Sequence, residues 1–409
     1  MKVGTGFSNH PNARVSGKMV AERILAGGGF DRPADLVLTF CSGNLDHEEY
    51  FEGLQSILGK SIPIIGGSTI GIITNTIISY TGFPAGAVAI QSDRLRCRIG
   101  VADRLNTNEG DAGRRLMGQL DIGSEDDLLL FFYDSIRNPA REGVPPELNP
   151  SSPLIGGIED GATAGFPVIG AGLVGDFSLE KKTVQFCGST VYNQSVVGAV
   201  LSGDISVYHG ITHGCTPLDG IYYQVTKSDG ACIFELDEQP IVPIIDDLYG
   251  SQDWQSKKPL DLLTIGINCG EKYGDPVEGC YVNRLITGVL PKGEGICLFE
   301  PDIEEGAEIQ FMLRDTQKMI DSARRNTAEL MSRVRADKRR ASLGFYIDCA
   351  GRAADYSLTA VEEVSEVQKI FNHHGCPFFG FYSGVEVAPL LGRSKGLDWT
   401  GVLVILAEG

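Results

Sequence analysis

The sequence predicts an α+β fold with a layered α/β character, in which central, mostly antiparallel or mixed sheets are flanked by outer helices. Two observations lead to this prediction. Residues 36–40 (LVLTF), 128–133 (LLLFFY) and 402–407 (VLVILA) are hydrophobic at both parities, which is typical of strands covered on both faces. The same order of segments also recurs along the chain, so we expect internally repeated strand-helix-PxxG-strand units.

The repeated unit occurs three times. Each copy opens with an apolar strand, continues through an insert, and passes a Pro-apolar-apolar-Gly turn before a closing apolar strand. The opening strands are residues 36–40, 128–133 and 343–347, the turns are residues 63–66, 167–170 and 377–380, and the closing strands are residues 86–90, 197–201 and 401–405. We expect helical inserts at residues 46–58 and 358–371, and a loop rich in Pro and Gly in the second copy.

The segment between the second and third copies has another pattern. Residues 222–226, 232–236 and 295–300 indicate antiparallel strands, and residues 316–338 indicate a long helix. A chain of 409 residues is too long for one ordinary core. We therefore expect two domains, residues 1–210 and 211–409; the alternative is one continuous core built from the repeated units.

Charge and composition restrict the function classes. A net charge of −18 argues against a broad nucleic-acid surface and against anionic membranes. No apolar run reaches the roughly 18 residues that span a bilayer, and no signal-peptide core opens the sequence, so we expect a cytoplasmic protein. Ten cysteines without a CxxC pair indicate reduced thiols rather than disulfides. One basic cluster is interpreted as a solvated helix end rather than a docking patch. It consists of Arg333, Arg335, Lys338, Arg339 and Arg340.

Residues 170–175 (GAGLVG) match the dinucleotide fingerprint GxGxxG. A Rossmann loop must open into a helix whose N-terminus receives the pyrophosphate. Residues 176–186 instead indicate a turn into another strand, and the equivalent turns of the other copies lack the fingerprint. We expect no nucleotide and no other cofactor.

His209, His213 and Cys215 could place two imidazoles on one face of a strand. A fourth ligand is not apparent, and the neighbouring Gly210 and Gly214 suit a loop or bend. We expect no metal site.

Cys41 and Cys349 each follow an apolar strand, where α/β proteins tend to display functional groups. A nucleophilic thiol needs a base and a stabilised thiolate. Arg352 could lower the pKa of Cys349, but no histidine is tied to it by sequence. Three interpretations stay open for Cys349: a packing thiol, a ligand-facing thiol, or the nucleophile of a Cys-dependent hydrolase or transferase.

The third copy concentrates polar groups around its turn. Arg352, Tyr382, Ser383 and Glu386 supply cationic, aromatic, hydroxyl and anionic side chains. Such a set can bind a small zwitterion, because a guanidinium holds a carboxylate, a carboxylate holds an ammonium, and a ring covers the stem. The alternative is that Arg352 and Glu386 pair with each other or lie in solvent.

Several segments resemble the FIST family, the paired N and C sensory domains of F-box and intracellular signal transduction proteins. They are residues 63–71 and 168–172 for the N domain, and residues 223–226, 306–315, 348–352 and 377–386 for the C domain. The resemblance implies a small-ligand sensor with amino acids as proposed ligands. The sequence shows no recognisable kinase, cyclase, receptor output or F-box, so we expect the signal to leave through a separate signalling protein or through assembly.

The main hypothesis is a non-enzymatic sensory protein that binds an amino-acid-like ligand near the third copy. The predicted site residues are Arg314, Cys349, Arg352, Gly380, Tyr382, Ser383 and Glu386. The ligand and a signalling protein are the expected partners, and assembly into a homo-oligomer is left open. A protein-interaction scaffold is a further alternative, which a large exposed apolar patch without an enclosed polar pocket would distinguish.

Overall fold

The computed structural model describes residues 1–142, 146–162, 166–256, 263–357 and 359–408. The α-helices of these residues are α1 (Ala13–Gly28), α2 (His47–Leu58), α3 (Glu109–Leu120), α4 (Ser151–Glu159), α5 (Ile241–Tyr249), α6 (Thr316–Ala336), α7 (Ala354–Ser357) and α8 (Val364–His373).

The strands of the first half are β1 (Lys2–Ser8), β2 (Leu36–Ser42), β3 (Ile64–Thr69), β4 (Ile72–Thr74), β5 (Ile78–Ser79), β6 (Ala85–Gln91), β7 (Leu95–Ala102), β8 (Asp126–Asp134), β9 (Ile136–Asn138), β10 (Glu147–Leu148), β11 (Val168–Leu173), β12 (Gln185–Cys187), β13 (Thr190–Tyr192) and β14 (Val196–Gly203). Those of the second half are β15 (Ser206–Thr212), β16 (Cys215–Pro217), β17 (Tyr223–Asp229), β18 (Cys232–Leu236), β19 (Gln239–Pro240), β20 (Leu263–Asn268), β21 (Tyr281–Arg284), β22 (Ile286–Val289), β23 (Ile296–Leu298), β24 (Glu308–Arg314), β25 (Arg340–Cys349), β26 (Phe378–Ser383), β27 (Val385–Leu390), β28 (Arg393–Leu397) and β29 (Gly401–Glu408).

Three six-stranded sheets have one order of pairing. The first sheet is β1-β6-β2-β3-β12-β13, the second is β7-β14-β8-β11-β27-β28, and the third is β15-β29-β25-β26-β4-β5. In each sheet the third and fourth strands run parallel, and the other pairings are antiparallel. The sheets are therefore mixed, and the predicted α+β class is confirmed.

The three sheets exchange hairpins. The hairpin β4–β5 follows β3 in the chain but pairs with β26 of the third sheet. In the same way, β12–β13 follows β11 and joins the first sheet, and β27–β28 follows β26 and joins the second. Two of the sheets thus combine strands from both sides of residue 210, and the division into residues 1–210 and 211–409 stays a prediction.

The three Pro-apolar-apolar-Gly motifs have a common geometry, but they are not turns as predicted, because their glycines lie inside β3, β11 and β26. Each proline immediately precedes a strand, where its missing N–H costs no ladder bond, and its carbonyl accepts an N–H from the neighbouring strand at 2.9–3.0 Å. The glycine of each motif faces a main-chain carbonyl of that neighbour so closely that a Cβ would clash with it. At Gly380 that carbonyl belongs to Tyr346, so close strand packing explains this predicted site residue.

Aromatic rings fill the space between the three sheets. Phe40 of the first sheet stacks on Phe381 of the third, with ring centroids 3.8 Å apart, and Phe132 of the second meets both rings edge-on. The outer faces are covered by helix pairs, α1 with α2, α3 with α4 and α6 with α8. Each sheet is therefore a covered central layer, as its apolar strands predict.

A fourth sheet lies between β15 and α6 in the chain. It has nine strands, in the order β21-β20-β24-β17-β18-β23-β22, with β16 joined to β24 and β19 to β18. With α5 and the buried Trp254 it forms its own core. We call this unit, residues 215–314, the inserted lobe.

Two local predictions need correction, and the long predicted helix is present. The insert of the second copy is not only a loop, because α4 lies there. The helix predicted at residues 358–371 exists as α8 but begins later, at Val364; the short α7 precedes the predicted range, and Leu358 lies outside the described residues. The long predicted helix is α6, which begins after Asp315, whose carboxylate accepts the main-chain N–H of Lys318.

The glycines of the GxGxxG match at residues 170–175 also have a structural explanation. Gly170 and Gly172 lie within β11, where a Cβ would meet the side chains of Phe131 and Tyr133. The next regular element is β12, so no helix N-terminus follows. Across the described parts of the chain, no helix combines the length and hydrophobicity needed to cross a bilayer.

Candidate ligand-binding site

Parallel pairing of β25 and β26 brings predicted site residues together. Asp348 lies opposite Tyr382, and Cys349 lies opposite Ser383, at the carboxyl ends of the two strands. Glu386 follows on β27. All five side chains are buried. The strand ends therefore place an acidic group, a thiol, a hydroxyl and an aromatic ring side by side in the interior.

Arg352 lies in a short 3-10 turn directly after β25 and is buried. Its guanidinium contacts five protein oxygens, as many as it has N–H groups. They are Asp348 Oδ1 (3.1 Å), His213 O (3.4 Å), Trp399 O (3.0 Å), Thr212 Oγ1 (3.0 Å) and Glu363 Oε2 (2.8 Å). Arg352 therefore pairs with Asp348 and Glu363 rather than with Glu386, and its donors are engaged by the protein.

Glu386 accepts hydrogen bonds from uncharged groups. Ser383 donates its hydroxyl to Oε1 at 2.7 Å, and the main-chain N–H of Thr400 lies 3.4 Å from Oε2. Burial raises the pKa of Glu386 well above its usual range. Burial, with Glu363 nearby, does the same to the pKa of Asp348. The protein alone thus disfavours the charged form of both carboxyl groups.

An aromatic cluster lies beside these buried groups. The Tyr80 hydroxyl donates to Glu362 Oε1 at 2.5 Å, and the Tyr382 hydroxyl lies 3.4 Å from Oε2 of the same carboxylate. The rings of Tyr80 and Tyr382 are perpendicular, with centroids 5.7 Å apart. Phe177 meets Tyr80 edge-on and stacks on the exposed Tyr356. Sequence reasoning missed this cluster because Tyr80 and Phe177 come from the first half of the chain.

Cys349 has the environment of a packing thiol. Burial, with Glu386 nearby, raises its pKa well above the usual range. Burial also raises the pKa of Cys41. A nucleophilic cysteine needs a thiolate near neutral pH, and both environments oppose one.

A second group of buried polar residues lies near Glu386, at the end of β28. Asp398 accepts the main-chain N–H of Leu285 at 2.7 Å, and burial raises its pKa to about 6. The guanidinium of Arg314 lies 3.5 Å from the ring centroid of Trp399. Asp398 and Glu386 both act on the pKa of Cys349, so the two groups are neighbours. The structure thereby brings Arg314, the remaining predicted residue, to the edge of the site.

Some buried polar atoms of this region have no hydrogen-bond partner within the described residues. They are Asp348 Oδ2, Asp398 Oδ1, Trp399 Nε1 and both amide atoms of Asn283. Such atoms are rare in proteins, where nearly all buried polar groups are paired. Buried acceptors and donors without partners in one region are groups that a polar ligand could satisfy.

The predicted histidine and cysteine positions do not form a metal centre. His213 Nδ1 accepts the main-chain N–H of Cys215 at 2.9 Å, and its Nε2 lies 2.8 Å from the carbonyl oxygen of Glu278. Within the residues that the structure describes, no group of three or more potential metal ligands comes together. His213 instead links β15 to the inserted lobe.

The family models cover most of the chain. The model described as FIST N domain matches residues 35–239, and the model described as FIST C domain matches residues 244–389. The chain belongs to the FIST family. FIST domains are sensory domains of signal-transduction proteins, which places this chain in that class.

Three relatives of this FIST protein are uncharacterized. Proteins of Mycobacterium bovis and Mycobacterium tuberculosis are each 26% identical to it over 245 residues, which is 60% of this chain and 61% of theirs. A protein of Methanocaldococcus jannaschii is 23% identical over 266 residues, covering 59% of this chain and 49% of its own. The chain thus spans about three fifths or less of these relatives. Among solved structures, PurLQS from Thermotoga maritima has a TM-score of 0.24 and 11% identity, covering 100% of this chain and 72% of that one.

The site draws on both FIST regions. Arg352, Tyr382 and Glu386 lie within the FIST C match, whereas Tyr80 and Phe177 lie within the FIST N match. The exchanged hairpin β4–β5 carries the first half of the chain to the edge of β26. The two FIST regions therefore build the candidate site together.

Proposed function

We propose that this FIST protein is a non-enzymatic sensor that binds a small zwitterion, such as an amino acid, around Glu386 and signals through a separate partner. The carrying observation is the set of buried acceptors and donors without protein partners, among them Asp348 Oδ2, Asp398 Oδ1 and Trp399 Nε1. A ligand with both an ammonium and a carboxylate would complete these bonds.

The acidic side of the site suits the ammonium group. Asp348, Glu386 and Asp398 are three buried carboxyl groups whose pKa values are all raised, chiefly by burial. A bound cation would favour their charged forms and offset the desolvation of those charges. Tyr382, wholly buried beside Asp348, would cover the stem of the ligand, with Ser383 and Cys349 next to it.

Trp399 and Arg314 suit the carboxylate of the ligand. Trp399 offers its indole N–H, and Arg314 lies against the same ring with a full positive charge. Arg352 has another role in this proposal: because its N–H groups already contact protein oxygens, it holds Asp348 in place rather than the ligand.

A path from the site to a partner also follows from Arg352. The same guanidinium reaches Thr212 and the carbonyl of His213, where the chain enters the inserted lobe. Glu278 of that lobe accepts the main-chain N–H groups of His213 and Gly214. A ligand that shifts Asp348 and Arg352 would therefore alter the hydrogen bonds that position the inserted lobe. A partner protein that binds the lobe could respond to its changed position.

A thermal-shift screen against amino acids and related metabolites tests the binding proposal. Hits should lose about tenfold or more in affinity in Glu386→Gln and Asp398→Asn, since each removes a charge-assisted contact. Glu49→Gln is the matched control, because Glu49 lies half-exposed on α2 beside Arg14. Hits that bind both site variants as tightly as the native protein would place the ligand elsewhere.

A further inference from the structure

We propose that Cys232 and Cys297 form a peroxide-reactive dithiol in the inserted lobe, a modification site independent of the ligand site. Cys232 lies on β18 and Cys297 on β23, and the two are directly opposite each other in antiparallel register. Their sulfur atoms are 3.1 Å apart, and both thiols are free. The pair arises from the fold, because 65 positions separate the two residues in sequence.

The geometry requires little movement to form a bond. Opposite residues of antiparallel strands have Cβ atoms about 4.5–5.5 Å apart, whereas a disulfide needs about 3.5–4.5 Å. Both strands are short, and β23 has only three residues, so a small approach of the two Cβ atoms would move only the main chain near the cysteines. The main-chain carbonyl of Cys297 accepts a hydrogen bond from Thr287 Oγ1, which anchors the pair to β22.

Accessibility distinguishes this pair from most cysteines of the chain. Cys232 and Cys297 are half-buried, whereas the core cysteines are enclosed. The enclosed cysteines are Cys41, Cys187, Cys215, Cys349 and Cys376. A small oxidant can therefore reach the pair without opening the core.

The reaction balances with a hydroperoxide as the oxidant. The Cys232 thiolate attacks the terminal peroxide oxygen, so an S–O bond forms, the O–O bond breaks, and an alcohol or water leaves with a proton. The sulfur of the Cys297 thiol then attacks the sulfenic sulfur, so the S–S bond forms, the S–O bond breaks, and the thiol proton leaves with the departing hydroxide as water. Two thiols are oxidised and one peroxide is reduced. Burial and the neighbouring thiol raise the pKa of Cys297 to about 12, so Cys297 takes the second step, in which its proton leaves with the oxygen.

The disulfide would join two neighbouring strands and close a loop that contains most of the inserted lobe. The closed loop contains α5 and β20–β22, which supply much of the lobe's core. Cross-linking restricts the unfolded chain, so the oxidised lobe should resist unfolding and proteolysis more than the reduced lobe. The hydrogen bonds that join Glu278 of the lobe to His213 and Gly214 would not change directly, because neither cysteine takes part in them.

The test is peptide mapping of the full chain after treatment with hydrogen peroxide. Free thiols are alkylated, and the protein is digested without reduction. The expected result is a linked pair of peptides containing Cys232 and Cys297, formed about tenfold faster than oxidation of any enclosed cysteine and reversed by dithiothreitol. In Cys232→Ser the link must vanish. Cys269→Ser, at an exposed thiol, is the matched control and should keep it.

Two results would overturn the proposal. One is a native protein whose Cys232 and Cys297 peptides stay unlinked while Cys269 is oxidised. The other is a linked pair that also forms at the same rate in urea-unfolded protein, since the register of β18 and β23 would then play no part. Because both results come from the native sequence, a folding defect in a variant cannot produce them.

Discussion

Arg352 and Glu363 form an ion pair that is enclosed by protein. Nη2 lies 2.8 Å from Oε2, and the two side chains are 0% and 1% exposed. Asp348, at 1% exposure, completes the group on the other side of the guanidinium. One buried cation thus compensates Glu363 and also donates to Asp348, so its removal leaves Glu363 without this partner of opposite charge and Asp348 without this hydrogen bond.

Arg352→Ala should therefore destabilise the protein by about 3–5 kcal/mol, because uncompensated buried charges carry that cost. Chemical unfolding near neutral pH measures the change. Arg324→Ala is the control: Arg324 pairs with Asp321 on the surface of α6, where both side chains are at least 40% exposed, and should cost about 0–1 kcal/mol. Equal losses in the two variants would contradict the buried role of Arg352.

The centre of the three sheets should be equally sensitive to truncation. Phe381 stacks on Phe40 at 3.8 Å and is wholly buried, so Phe381→Ala removes contacts to two sheets at once. We expect a loss of about 3–5 kcal/mol in unfolding free energy. Leu391→Ala, at a side chain that is 64% exposed, should change stability by less than about 0.5 kcal/mol. A small effect at Phe381 would mean that the sheets do not share one cooperative core.

Strand ends were predictable from sequence because they depend on local pattern. Asp348 and Cys349 follow an apolar run, and Tyr382 and Ser383 follow the glycine of the recurrent Pro-apolar-apolar-Gly motif, so their proximity needs only parallel pairing of two strands. Contacts between residues that are far apart in sequence were not predictable in this way. Tyr80 reaches Glu362 across 282 positions, through a hairpin that crosses to another sheet.

The choice of ion-pair partner was also beyond the sequence. Both Glu363 and Glu386 follow Arg352 at moderate distances, and either could pair with it. Packing selects Glu363, which stands at the start of α8, while β27 turns Glu386 toward Ser383. Residue type predicted the chemistry of the cluster, but the fold decided which charges meet.

The junction of the inserted lobe should lose stability in acid. Burial alone would raise the pKa of Glu278, but His213 and hydrogen bonds from neighbouring N–H and hydroxyl groups lower it from 4.5 to about 2. A lowered pKa in the folded state gives stability that is complete above pH 4.5 and declines as the pH falls toward 2. Burial lowers the pKa of His213, so near neutral pH the hydrogen bonds to Glu278 remain but the charge of His213 does not contribute. Glu278→Gln should therefore cost about 1–3 kcal/mol near neutral pH and progressively less below pH 4.5.

Urea unfolding of both proteins between pH 3 and 6 measures this difference. A gap between native protein and Glu278→Gln that stays constant over that range would show that the carboxylate charge is not the stabilising feature. Glu278 and Glu329 line one cleft between the inserted lobe and α6. Glu329→Gln is the control and should not reproduce this pH-dependent difference.

The opposite sign is expected at Glu300. This carboxyl group accepts main-chain N–H bonds from Ser151 at the start of α4, yet burial raises its pKa from 4.5 to about 7 despite the nearby Arg284. A raised acid pKa gives stability that is present below pH 4.5 and is lost as the pH rises through 7. Native protein should thus lose about 2 kcal/mol between pH 5.5 and 8.5. Chemical unfolding at the two pH values measures this loss. Glu300→Gln keeps an acceptor for Ser151 and should lose less stability than native protein, whereas the exposed control Glu180→Gln should lose as much. A native protein that is equally stable at both pH values would refute the assignment.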